Sequence, residues 1–305
     1  MSDDRLFGEN FSRKKRVAFA FTAMIVFSAL YLFPPHLYSG IIYSEDEWVQ
    51  RIAFLATSFS YKVFVFVLCA LFVKKVLKRN LGITVKGFFK GLFIFGSLML
   101  VYSALNFLFS FPFNLQGDGV DYDTAYKLLP VYFVHCLGIG IGEEGVWRVL
   151  GVNLFSWAFG EGKKNGFFAL FIPSVIFGLA HLNNLITPPV LVNSTIAQVI
   201  YATMIGFYFA VCYYKTGNLI PSMLLHALFD FAYYACRGFY PKEELIKVVK
   251  TDISPLGLLI NVALHIPLFL FALMLFFNFF TTQKKETEPP TEETDKNDQQ
   301  KNALI

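Results

Sequence analysis

Eight apolar runs, separated by short polar stretches, dominate the chain: residues 17–33, 52–73, 91–111, 125–159, 167–181, 195–214, 219–236 and 256–280. A helix needs roughly 20 predominantly apolar residues to cross a bilayer. The pattern therefore predicts an all-α fold, a polytopic membrane bundle with about eight transmembrane helices. The run 125–159 exceeds one straight crossing, which predicts a helix that is tilted, broken or protruding. Lys127 and Pro130 place the protruding part at its start. Pro34 and Pro35 stop the first run, and Pro267 predicts a kink in the last. Four regions follow: N-terminal membrane helices over 1–124, a core of four runs over 125–236, a loop and the last run over 237–282, and a polar tail over 283–305 that reads as disordered and cytoplasmic.

Composition sharpens the class. Only 16% of residues are charged and 55% are hydrophobic, with 37 Phe, whereas a soluble domain carries about 25% charged residues. The basic residues sit between runs, in Arg13–Arg16 and in 74–90, 161–166 and 215–218. By the positive-inside rule these segments and both termini are cytoplasmic; the loop 237–250, with Arg237, Lys242, Lys247 and Lys250, breaks the pattern. Lys62 lies inside the second run, where its long stem can snorkel or face the bundle, snorkelling being the plainer reading. A net charge of +4 does not point to nucleic acid, and four scattered cysteines without CxxC spacing indicate neither a disulfide framework nor a cysteine metal site.

Ionisable groups inside such runs are costly and mark functional sites. Glu143, Glu144 and Arg148 interrupt the fourth run. Glu144 and Arg148 are four apart on one helix face and can neutralise each other, with the acid on the favoured N-terminal side. Glu143 points about 100° away and is left over. His181 closes the fifth run, four residues after Phe177, whose ring can limit the imidazole's rotamers. His226 and Asp230 share a face of the seventh run. A buried carboxylate beside imidazole can activate water; the same groups can also ligate zinc. In a straight topology Glu143 falls near the middle of its run and His181 near the end of its own, so a tilt or a deeper start must bring them together. Gly138 and Gly142 have the small-xxx-small spacing that lets helices approach beside the site.

In chain order these residues resemble the motifs of the CPBP family, the CAAX proteases and bacteriocin-processing enzymes also called Abi. Glu143-Glu144-Gly-Val-Trp-Arg148 matches Glu-Glu-x-x-x-Arg, Phe177-Gly-Leu-Ala-His181 matches Phe-x-x-x-His, and His226-Ala-Leu-Phe-Asp230 matches His-x-x-x-Asn/Asp. The resemblance covers about 130–234 and implies an intramembrane endopeptidase similar to type II CAAX prenyl endopeptidases. It implies catalytic roles for Glu143, His181, His226 and Asp230: water activation by Glu143 with His181, and oxyanion or metal binding by His226 and Asp230. Glu144, Arg148 and Phe177 would support them. The prenyl endopeptidases usually carry Asn at the last position, and Asp230 donates a hydrogen bond only when protonated. The implied partners are a peptide or a prenylated or otherwise lipidated protein substrate and the membrane lipids. The implied setting is multi-pass, in a prokaryotic plasma membrane. Zinc is one option for the cofactor, and the sequence does not define the oligomeric state.

Two other functions fit the same residues: a non-proteolytic membrane scaffold or immunity factor of the same fold, and a proton-coupled transporter with Glu143, His181, His226 and Asp230 as a relay. The topology is testable by itself. Asp118→Cys and Lys163→Cys, made singly in a variant lacking Cys69, Cys136, Cys212 and Cys236, should react with an impermeant maleimide from opposite sides of the membrane; reaction from one side overturns the topology.

Overall fold

The computed structural model describes residues 11–32, 47–114, 122–186, 190–237 and 252–286, and every regular element among them is helical. The helices are α1 (Arg13–Leu32), α2 (Glu47–Lys75), α3 (Ser97–Asn114), α4 (Tyr122–Glu144), α5 (Asn153–Phe159), α6 (Lys163–Ala180), α7 (Val192–Thr216), α8 (Ile220–Arg237) and α9 (Pro255–Glu286). The chain is an all-α membrane bundle. Among the described residues five segments are long and apolar enough to cross a membrane: Arg13–Leu32, Ile52–Lys75, Lys163–Leu185, Val192–Thr216 and Pro255–Phe277. The other three sequence-predicted spans are also helical, but shorter or more polar. In α3 the apolar part is Ser97–Leu108, and α4 and α8 carry the ionisable motifs.

The long fourth run is continuous helix with an interruption. Gly145–Val152 is a π-helical segment joining α4 to α5, and all eight of its residues are buried. It touches α1, α2, α6 and α7, so the widened turn lies at the middle of the bundle. Similarly, the third run opens with a π-helical turn, Lys90–Phe95, before α3. The fifth run ends in a short 3-10 turn, His181–Leu185, where the sequence pattern predicts loop from Leu182 onward. α9 continues to Glu286, past the start of the predicted tail. The remainder of that tail and nearly all of the loop 237–250 lie outside the described residues.

Two helices organise the packing. α4 lies between α2 and α8, and α7 lies between α6 and α9. The apolar window of α7 is 61% buried against 17% for α9, which makes α7 central and α9 peripheral. Exposed Ile25, Phe64, Leu71, Leu264 and Leu270 cover the outer faces of α1, α2 and α9, as a lipid-facing surface requires.

Close backbone approach explains the α4 contacts. A Cβ on Gly138, Gly142 or Gly145 would meet Phe59, Lys62 or Phe66 of α2 at 2.7–2.9 Å, so one glycine stripe receives one face of α2. A Cβ on Gly140 would lie 2.4 Å from the Met223 carbonyl of α8. Glycine therefore sets the approach on both sides of α4.

The basic segments gather at one end of the bundle. Arg13 donates to Asn165 Oδ1 at 3.0 Å, and the Lys163 ammonium lies 4.7 Å from the centre of the Phe277 ring. The turn after α7 is tied to the chain following α2. Gly217 ends α7 in the left-handed region at φ 60°, where glycine has no Cβ to clash. Asn218 donates to the carbonyls of Thr84 (2.6 Å) and Lys86 (3.0 Å) and accepts from the Ile220 N–H (3.0 Å). At the start of α7, Asp252 accepts from the Asn193 and Ser194 N–H groups and from the Ser194 hydroxyl at 2.7–2.9 Å. Desolvation pushes the Asp252 carboxyl up, but these donors and the Ile253 N–H outweigh it and hold it below its ordinary value.

The Asn218 clamp sets where α8 begins. Asn218→Ala removes three part-buried hydrogen bonds to backbone groups, so the protein should lose about 2–3 kcal/mol of stability. The loss should appear as a lower midpoint in thermal melts in detergent; an unchanged midpoint would show that the turn is held by other contacts.

Candidate active site

The centre of the bundle holds a carboxylate that meets two cationic side chains. Glu144 is fully buried, and its Oε2 lies 3.2 Å from Arg148 Nε. Its Oε1 lies 2.8 Å from His226 Nδ1 on α8. The i,i+4 pair seen in the sequence therefore forms, although Arg148 sits on the π-helical segment. The Arg148 guanidinium is 1% exposed, and its carbon lies 4.9 Å from the Phe177 ring centre and 5.4 Å from that of Phe209. Aromatic faces thus attract the charge where, among the described residues, no oxygen accepts from Nη1 or Nη2.

Glu143 diverges from this pair, as one residue of helical rotation requires. Its Oε1 accepts from the Tyr31 hydroxyl of α1 at 3.1 Å, and its Oε2 lies 3.3 Å from His226 Nε2. The two neighbouring carboxylates consequently grip opposite nitrogens of one imidazole. A neutral ring carries a single N–H, so His226 can donate to both only as imidazolium. The ring stacks on Phe209 at 5.2 Å, which fixes its plane. Asp230, one turn further along α8, places Oδ2 3.8 Å from the same Nε2. Glu143 and Asp230 are 16% and 21% exposed, while Glu144 is closed off.

His181 stands beside this group. It opens the 3-10 turn after α6, and its Nδ1 lies 3.0 Å from the Phe177 carbonyl. A carbonyl only accepts, so in the neutral ring Nδ1 carries the proton and Nε2 is left as an acceptor. The Phe177 ring lies 5.0 Å from His181 and 5.9 Å from His226, edge-on to each. Among the described residues no hydrogen bond or ion pair joins His181 to Glu143. From the Arg13–Asn165 contact, Tyr31 lies about 27 Å and His181 about 24 Å along their helices, at 1.5 Å rise per residue. The Tyr31 contact therefore puts Glu143 and His181 at comparable depth. The structure thus gathers Glu143, Glu144, Arg148, His226 and Asp230, with His181 one ring away across Phe177.

The sequence did not point to two further participants. Tyr31 gave no signal, because a tyrosine at the end of an apolar run is ordinary. Lys62 has a snorkelling reading as the plainer one, yet its stem packs against Gly142, the residue before Glu143. The hint was its position near the middle of a run of membrane length. His135 and His265 lie elsewhere, against Tyr234 at 5.5 Å and Tyr201 at 4.5 Å.

The metal candidates Glu143, His181, His226 and Asp230 do not make a ligand set. Among the described residues no three His, Cys, Asp or Glu groups are placed to hold an ion. His226 presents one nitrogen to Glu144 and the other to two carboxylates, and His181 is separated from them by a ring.

The helical membrane bundle thus encloses a cluster of carboxylates, histidine and arginine. Residues 125–232, about a third of the chain, match the family model described as type II CAAX prenyl endopeptidase Rce1-like, which supports the likeness to the CPBP family of CAAX proteases. The apolar helices make the chain an integral membrane protein. No curated protein and no solved structure matches it.

The buried pair is testable. Arg148→Ala leaves Glu144 without its cation in the core, which should cost about 3–5 kcal/mol. A protein with a wild-type melting midpoint in detergent would overturn the assignment of Arg148 as the structural partner.

Proposed function

We propose that the protein is an intramembrane endopeptidase in which Glu143 activates the water. The observation that carries this reading is the asymmetry of the two glutamates. Glu144 is 0% exposed and committed to Arg148 and His226, whereas Glu143 is 16% exposed and keeps lone pairs beyond its two contacts. Only Glu143 can both reach water and remain held.

The chemistry follows from general acid–base catalysis. The Glu143 carboxylate takes a proton from water, and the oxygen attacks the scissile carbonyl carbon. The carbonyl oxygen becomes an oxyanion, which hydrogen-bond donors stabilise. In this reading imidazolium His226, oriented by Glu144, is the donor. The C–N bond then breaks and the proton passes to the leaving amine. His181 orients the water or the peptide through its free Nε2. Asp230 faces His226 Nε2 and balances its charge; ionised, it cannot replace an amide donor to the oxyanion.

The substrate class we propose is a prenylated or otherwise lipidated peptide with a cleavable C-terminal segment. The support is the matched family's description together with a site enclosed by membrane helices. The lipid tail would lie among the helices while the peptide reaches Glu143. The four-part division of the chain, with the catalytic core over 125–236, belongs to the same proposal.

Purified protein in detergent should cleave a farnesylated peptide ending in Cys-a-a-X. Glu143→Gln keeps the shape but removes the base, so it should lower kcat by at least about a hundredfold while the melting midpoint holds. Cleavage should be indifferent to a strong chelator. Wild-type turnover in Glu143→Gln would overturn the base assignment, and loss to chelator restored by zinc would replace it with a metal-bound water.

A further inference from the structure

The matched segment begins at residue 125, yet two groups that meet Glu143 come from before it. Tyr31 ends α1, is 8% exposed, and gives its hydroxyl proton to Glu143 Oε1 at 3.1 Å. Lys62 lies near the middle of α2, and its stem packs beside Gly142, the residue before Glu143. Both arrive through one gap in α4. A Cβ on Gly142 would lie 2.9 Å from Lys62 Cβ and 3.1 Å from Tyr31 Cε2. The residue before Glu143 thus leaves the space through which both side chains reach it. Tyr61 of α2 fixes the arrangement by donating to the Leu30 carbonyl, one residue before Tyr31.

The charge count gives these residues a purpose. The cluster contains three carboxylates, Glu143, Glu144 and Asp230. Against them stand Arg148 and, when protonated, His226. Lys62 is the third cation, and with it the group is neutral. A net charge inside a membrane bundle is expensive. Arg148 is claimed by Glu144, and Lys62 enters the bundle beside Gly142, the residue before Glu143.

We infer that Tyr31 and Lys62 are positioning residues for Glu143: Tyr31 holds its Oε1, and Lys62 supplies the positive charge that Glu143 and Asp230 share. The inference rests on the endopeptidase reading for its effect on turnover. The active site is then built from α1, α2, α4 and α8 together. The hydroxyl donor selects one carboxylate rotamer and leaves Oε2 toward His226. The lysine keeps two neighbouring carboxylates from repelling each other out of that geometry.

Tyr31→Phe and Lys62→Met, made in the full chain and assayed on the farnesylated peptide, should each lower kcat by about tenfold or more with KM little changed, because neither residue is placed to bind substrate. Lys62→Arg should recover most of the loss of Lys62→Met, since it restores the charge. Melting midpoints separate this from general damage: a fall in kcat that tracks the midpoint and is not recovered by Lys62→Arg overturns the inference, as does wild-type kcat in both variants. A second measurement is independent of turnover. The infrared carboxylate bands of Glu143, isolated as wild type minus Glu143→Gln, should shift in Tyr31→Phe, and an unmoved band overturns the Tyr31 contact. Failure of the wild-type protein to cleave, with the band shift present, would count against the peptidase reading and leave the positioning inference standing.

Discussion

A carboxylate with no access to water must find its partners within the protein, and Glu144 does so on two helices at once. Its ion pair with Arg148 spans the junction between α4 and the π-helical segment, and its contact with His226 crosses to α8. Removing either partner leaves charge in a medium that cannot solvate it. The neighbouring packing is organised to keep these distances. Gly140 lets α4 lie against the α8 backbone, Phe177 and Phe209 enclose the guanidinium, and the Asn218 clamp sets the start of α8. The most expensive interaction in the bundle is therefore also its most precise constraint.

Adjacent glutamates in a helix cannot share one environment, and the fold uses that divergence. Rotation by one residue turns Glu144 into the interior and Glu143 toward α1 and α2. Both still reach the same imidazole, through different nitrogens. His226 consequently links a rigid element to a more accessible one, and the orientation of Glu143 depends indirectly on the ion pair behind it. In the proposed mechanism this is how a buried structural pair acts on a reacting group that it does not touch.

Much of this was legible in the sequence because charge in an apolar run is conspicuous. The helical class, the Glu144–Arg148 pairing and the divergence of Glu143 all follow from run length and helical periodicity. The close approach at Gly142 was legible too, since small residues four apart have few other uses in a membrane helix. The Glu144–His226 contact was not, because spacing along one helix carries no information about which neighbour faces it. Lys62 was visible but misread: a lysine stem can extend to the interface or fold inward, and only the packed partner decides. Tyr31 carried no signal, because its role exists only where α1 ends against α4. Run length also overstated uniformity, since it could not anticipate the widened turn within the fourth run.

That widened turn joins two halves of one helix that answer to different neighbours. Upstream, α4 is indexed to α2 and α8; downstream, α5 is indexed to α1 and α6. A π-turn takes up more residues than an α-turn over the same rise, so Gly145–Val152 sets the phase between the halves. Deleting one residue there would favour plain α-helix and change the rotation of one half against the other. The two halves could then no longer both keep their neighbours. In this protein the number of residues between Glu144 and Asn153 is thus itself part of the design, in a way that no side-chain substitution can reproduce.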